Sequence, residues 1–410
     1  MANQTSDKIR GPGQEVEVVP QIDNPVLKGL VLIAAQCLPV MAVVALFPVI
    51  PKLFQQFGAL ENAGLLVPMI ITMPSLCVAL SAPWIGWLAD RLGRRRTLNI
   101  SFGLYVVSAL APLLLDSVHL IIASRALVGL AEAGVVTASG ALTADYYGAN
   151  RKKWLAWQSV ANSICGTLLL AAGGALADVS WKAPFVIYAI TIPFFFMSLI
   201  YITEPKTEIA RQGAVSQPSG RFPWGAGLRV VGVTLIASIL YNVEPLHIAR
   251  VIEATGVASH TRTGIILAVT SLGYIIGSYL YKRFADYGFH FQLAIAGTLI
   301  GIGLVGIGLA KAYDVAAGWA ALQQIGAGMV IPILLGWSQG LVSFEHRGRI
   351  VGFWATAFFI GMFVCSPIAN AIGSAIGGLQ PAIMVLGVVT LALSLVATLI
   401  GASGRRVAAA

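Results

Sequence analysis

Residues 62–96 read Asn62-Ala-Gly-Leu-Leu-Val-Pro-Met-Ile-Ile-Thr-Met-Pro-Ser-Leu-Cys-Val-Ala-Leu-Ser-Ala-Pro-Trp-Ile-Gly-Trp-Leu-Ala-Asp90-Arg-Leu-Gly-Arg-Arg-Arg96. Positions 62–89 carry no charged side chain, whereas five of the next seven positions are charged. A helix needs about 20 apolar residues to cross the hydrocarbon core of a bilayer. The stretch therefore reads as a membrane span that ends in a basic loop.

The same alternation recurs along the chain. Of 410 residues, 57% are apolar and 10% charged, against roughly 25% charged in soluble domains. A water-soluble fold of this length has no place for so much apolar surface, and a bilayer has. The 44 glycines suit membrane helices, whose backbones approach closely over small residues. Uncharged runs fall at 29–51, 62–89, 97–115, 154–177 and 183–203, then at 263–281, 287–310 and 315–344. A long tract at 350–404 is divided by Gly377, Gly378 and Pro381 into two. Segments 119–142 and 224–245 are apolar but contain charges, and bring the total to twelve. The first 28 residues are polar and the run that follows is too long for a cleavable signal, so the first helix is expected to direct its own insertion. Cys37, Cys77, Cys165 and Cys365 all lie inside apolar runs without metal-site or disulfide spacing and read as small core thiols.

The basic residues set the orientation. With the N-terminus in the cytoplasm, twenty of the 26 lysines and arginines fall on inner loops, five on outer loops, and Arg125 within a span. Cytoplasmic loops carry the excess of positive charge, so both termini are expected in the cytoplasm and the protein in the inner membrane. Anionic lipid beside those loops accounts for the net charge of +9 without nucleic acid. The polar stretch near the midpoint, with Gly213, Ser216, Pro218, Ser219 and Gly220, reads as a flexible linker. The expected order is a tail at 1–28, a six-helix bundle at 29–203, a linker at 204–223, a second bundle at 224–404 and a short tail at 405–410. Two such halves place a binding site at their interface near the bilayer midplane.

Gly86-Trp-Leu-Ala-Asp-Arg-Leu-Gly-Arg-Arg-Arg96 resembles the signature loop between helices two and three of the major facilitator superfamily, and it follows the second span. A weaker echo, Lys282-Arg-Phe-Ala-Asp-Tyr-Gly288, follows the eighth. The resemblance extends over nearly the whole chain. It implies an all-α fold of twelve transmembrane helices in two pseudo-symmetric six-helix bundles, working by alternating access as a monomer. It also implies that the loop, through Gly86, Asp90, Arg91, Gly93, Arg94 and Arg95, latches the halves when the cytoplasmic side is closed. The residue types fit: Gly86 would permit close helix packing and Gly93 a tight turn, while Asp90 could pair with Arg91 or Arg94 or meet a neighbouring helix N-terminus.

Ionisable residues inside a membrane are functional candidates by default. Arg125 and Glu132 lie seven residues apart on one helix face, roughly 10 Å along it, so each needs a partner elsewhere or an aqueous cavity. Arg125 followed by Gly129 resembles the fourth-helix motif that the superfamily associates with proton coupling. A carboxylate among apolar neighbours is costly to keep charged, which makes Glu132 the expected proton carrier; a structurally paired carboxylate or a substrate contact are the other readings. Only fourteen uncharged residues separate Arg229 from Glu244, so the seventh span must include a charge, and Pro245 is expected to bend or end it. Tyr241, Asn242 and Glu244 are candidates for the cavity, with Glu244 alternatively opening an exposed loop. Gln36, Asn162, Tyr274, Trp337, Gln339 and Asn370 are further cavity candidates, beside Gln323 and Gln324. The five histidines are expected in loops or at span ends.

A cavity with apolar walls and few charges suits a small amphipathic organic molecule better than a polyanion. This favours the drug:proton antiporter-like branch and proton-coupled efflux. One departure stands against it: Gly173 and Gly174 match the antiporter signature of the fifth helix, but Leu169 and Leu170 occupy the earlier positions. The run Gly129-Leu-Ala-Glu132-Ala resembles spinster-type lipid transporters, so a lysolipid, sphingolipid or organic-anion carrier, by symport or uniport, is the alternative. No enzyme motif, metal site or phosphate-binding loop is present, no cofactor is expected, and no room is left for a nucleotide-binding domain.

Overall fold

The computed structural model describes residues 24–147, 151–204, 222–257, 259–284, 286–343 and 346–409. Its secondary structure is helical from end to end of the described residues. Eleven spans are long and apolar enough to cross a membrane: Pro25–Phe57, Ala63–Ala82, Val118–Tyr147, Val160–Val179, Ala183–Tyr201, Trp224–Ala254, His260–Arg283, Phe289–Leu309, Tyr313–Gly340, Arg347–Ile376 and Leu379–Gly401. The remaining span, third in order, is the helix Arg94–Leu110 with a 3-10 turn at Ala111–Leu113. It is short on apolar length because three arginines form its first turn. The spans are numbered one to twelve below.

Several bounds differ from those expected. Span one begins at Pro25, so Lys28 is helical rather than part of a tail; its ammonium reaches the Thr203 hydroxyl at 2.9 Å. Span one also breaks at Phe47–Val49 before continuing as Ile50–Phe57. Span seven does not end at Pro245 but runs on to Ala254. The last helix continues to Ala409 instead of stopping at residue 404. The division of the final tract falls where expected, with Gly377 at φ +89° and Gly378 at φ +145°.

The packing scheme repeats. Span one packs on four and five, two on four, three on four and six; span seven packs on ten and eleven, eight on ten, nine on ten and twelve. Adding six to each number in the first half yields the second. The halves meet along two seams, five against eight and two against eleven, which the same shift exchanges. Large apolar side chains such as Trp84, Leu114 and Val107 are exposed around the outside, the pattern of a protein whose solvent on that side is lipid. The face that carries the linker is called the linker face, and the opposite one the far face.

Candidate functional site: a cavity between the halves

A cavity of about 510 Å³ lies between the halves. Val40, Val43 and Phe47 of span one, Ser75 of span two, Glu132 of span four and Asn162 of span five line it from one half. Tyr241, Asn242, Glu244 and Ile248 of span seven, Tyr274 of span eight, Gln324 of span ten, and Phe358 and Met362 of span eleven line it from the other. The walls are mostly apolar, with one carboxylate from each half.

Glu132 is buried within span four, and its Oε2 has no hydrogen-bond partner among the described residues. Arg125, fully buried on the same helix, does not border the cavity. Its guanidinium serves backbone that a proline in span two and a break in span one leave open. Pro74 has no N–H to give the Ile70 carbonyl, and Arg125 Nε donates to that carbonyl at 3.0 Å. The break after Val44 likewise frees the Ala42 carbonyl, where Leu46 N–H turns to Val43 instead. Arg125 Nη2 donates to Ala42, and the Tyr188 hydroxyl does so at 3.2 Å. The guanidinium carbon also lies 5.4 Å from the centre of the Tyr188 ring. Arg125 thus ties spans one, two and four together while Glu132 faces the cavity.

Span seven is built on the same principle. Pro245 leaves the Tyr241 carbonyl without its helical partner, and the Gln323 amide donates to it at 3.3 Å. The helix therefore continues, and Glu244 lies buried inside it, not in an exposed loop. Gln324 Nε2 donates to Glu244 Oε2. The Asn242 amide is turned to the Ser238 carbonyl at 2.8 Å. His247 departs from the expectation of a loop histidine: it is buried one turn beyond Glu244, with neither ring nitrogen partnered among the described residues.

Of the expected cavity residues, Asn162, Tyr241, Asn242, Glu244 and Tyr274 border the space, and Gln36, Trp337, Gln339 and Asn370 do not. Gln36 joins spans one and four, donating to the Ser139 hydroxyl at 2.7 Å and the Val136 carbonyl at 3.2 Å. Trp337 stacks on Phe289 with ring centres 4.3 Å apart. Asn370 donates to the Gly64 carbonyl at 2.6 Å across the second seam. The Gln36 and Asn370 amides are thus engaged between helices, which a linear pattern of isolated amides does not distinguish from cavity lining.

At the linker face, Gly93 has φ +89°, which permits the turn between spans two and three. A Cβ at Gly86 would meet nothing within 4 Å, so this glycine is not needed for helix packing. The Asp90 side chain lies outside the described residues. Arg91 sits 4.0 Å from the Trp87 ring centre, and Arg94 pairs with Asp145 of span four. The start of span three is capped by Glu204, which accepts from the backbone N–H groups of Arg94 at 2.8 Å and Arg95 at 2.9 Å. Sequence reading missed Glu204 and His247. The first was read as linker, and the second was placed beyond Pro245 in a loop or at a span end.

Two pseudo-equivalent six-helix bundles around a shared cavity define a membrane transport fold. The family model described as Major Facilitator Superfamily matches residues 32–244 and 225–407, two stretches that overlap in span seven. The chain belongs to the major facilitator superfamily: it is a multi-pass membrane transporter of small molecules, not an enzyme. Quinolone resistance protein NorA of Staphylococcus aureus (strain COL) is 25% identical over 338 residues, covering 79% of this chain and 84% of NorA. Tetracycline resistance protein, class B, of Escherichia coli is 27% identical over 176 residues, 41% of this chain and 42% of that protein's length. Among solved structures, the inward open conformation of the xylose transporter XylE from E. coli has a TM-score of 0.72 at 15% identity, over 90% of this chain and 95% of that one. A bacterial homolog to the human lysosomal transporter Spinster, inward-facing and occupied, has a TM-score of 0.71 at 17% identity, over 90% and 96%. These likenesses carry the fold.

Proposed function

We propose that the protein is a proton-coupled exporter of small amphipathic organic molecules that carry positive charge, working by alternating access in the cytoplasmic membrane with its termini inside. The observation that carries this reading is the cavity with a carboxylate from each half, Glu132 and Glu244. Arg125, on the same helix as Glu132, donates to the Ile70 and Ala42 backbone carbonyls and pairs with neither carboxylate. A carboxylate held in apolar surroundings is stable when protonated or when a cation faces it. Proton and cationic substrate therefore compete for the same groups, and this competition is what an antiporter needs. The resistance proteins among the relatives support export, and the excess of lysine and arginine on the linker-face loops supports the orientation.

Glu132, whose Oε2 has no hydrogen-bond partner among the described residues, is the proton carrier in this scheme. In proteoliposomes with an imposed pH gradient, tetraphenylphosphonium movement by the parent should follow the gradient. Glu132→Gln should lose that response and retain downhill exchange. A variant driven as strongly as the parent would remove the role from Glu132. Transfer of labelled lysolipid between leaflets with no cation movement would replace export by lipid carriage.

A further inference from the structure

Where spans five and eight meet, a carboxylate of one half stands at the start of a helix of the other. Asp178 lies at the exposed far-face end of span five, and span eight begins at His260. Asp178 Oδ1 accepts from the His260 backbone N–H at 2.7 Å. Its Oδ2 accepts from the Thr261 backbone N–H at 2.9 Å, the Thr261 hydroxyl at 2.5 Å and the Ser259 hydroxyl at 3.0 Å. A helix start presents N–H groups without intrahelical partners and the positive end of the helix dipole, and the residue just before it ordinarily caps them. Ser259 does so only for Arg262 N–H, at 3.3 Å. The rest of the cap is borrowed from the opposite half.

The surroundings make this contact a closure. A Cβ on Gly174 would run into the His260 carbonyl, and one on Gly264 would lie 2.5 Å from the Leu170 carbonyl, so the two backbones touch directly beneath the carboxylate. Lys52 donates to the Ala177 carbonyl at 2.5 Å and the Asp178 carbonyl at 3.3 Å, fixing the last turn of span five with the charge its dipole favours. Other contacts cross between the halves on the same face: Gln55 donates to Glu253 at 2.6 Å, and Arg250 lies 4.1 Å from the Phe54 ring centre. Compared with these, Asp178 gathers four hydrogen bonds on one charged group, and bonds to a charged acceptor are the strong kind.

We propose that Asp178 is the latch of the far face: its carboxylate holds span eight to span five, and the far face opens only when those four bonds are exchanged for water. Its importance for transport rests on the alternating-access reading, but the latch itself depends on neither proton coupling nor substrate. The Asp178 side chain is exposed, so it can be changed without disturbing the core.

Spin labels at Leu60→Cys and Lys311→Cys, one on each half at the far face, report the opening by electron–electron distance measurement. Asp178→Ala and Asp178→Asn should enlarge the long-distance population about tenfold, the scale of losing a charge-assisted hydrogen bond or two. Distance distributions that superimpose on the parent's would overturn the latch. In a second test, Asp178→Cys with Thr261→Cys is oxidised to a disulfide, scored by cleaving an engineered protease site in the linker so that only cross-linked halves stay together. Transport should fall about tenfold and return on reduction, because a closed latch leaves only one access state. Undiminished transport by fully cross-linked protein would equally overturn the proposal. Proton coupling is read separately, so its failure would leave the distance result standing.

Discussion

Two ionisable residues seven positions apart on one helix have different work. Arg125 fills the hydrogen-bonding gaps left by Pro74 and by the break in span one. Arginine suits this because its planar fork reaches two acceptors at once, whereas lysine presents a single point of charge. Arg125→Lys should lower stability by about 2 kcal/mol, the scale of one hydrogen bond involving a charged group, read as an earlier melting transition in detergent. A variant as stable as the parent would mean that the carbonyls find other donors. Glu132 was legible in the sequence because it is a lone carboxylate in an apolar run. The task of Arg125 was not, because the acceptors it serves become available only once spans one and two are bent beside it.

Helices in this fold are broken without being ended. Pro245 frees the Tyr241 carbonyl for Gln323, and Pro332 frees that of Gly328, which the Ser278 hydroxyl takes at 3.2 Å. Linear reading leaves open whether a proline bends a helix or ends it; in lipid the freed carbonyl must be satisfied from a neighbour, and the helix carries on. This is why the length of span seven and the burial of His247 were not visible beforehand, while the glycine break after span eleven was. The start of span three likewise depends on a residue outside its own helix. Glu204 caps it, and a lost cap costs about 1 kcal/mol. Glu204→Ala should therefore raise amide hydrogen exchange at Arg94 to Thr97 severalfold with the remaining spans unchanged. Unaltered exchange there would show that the cap is dispensable.

For the molecule as a whole, the number of spans and their division into halves were readable from charge and hydropathy alone. The facing of each helix was not: Gln36 and Asn370 stand in suitable spans but turn to neighbouring helices, and only the packing decides that. Sidedness can be tested directly. Ser216→Cys in the linker and Leu60→Cys on the far face should react with a membrane-impermeant maleimide from opposite sides, Leu60→Cys from outside intact cells and Ser216→Cys only in inverted vesicles. Labelling of both from one side would refute the twelve-span path. Shifting by six equates span four with span ten and span one with span seven, yet the two cavity carboxylates sit on four and seven. Under this shift the two acids are not each other's counterparts. The scaffold repeats, while each acid stands in one half only. The preference of such a protein can therefore drift through substitutions in one half that have no mirror image in the other.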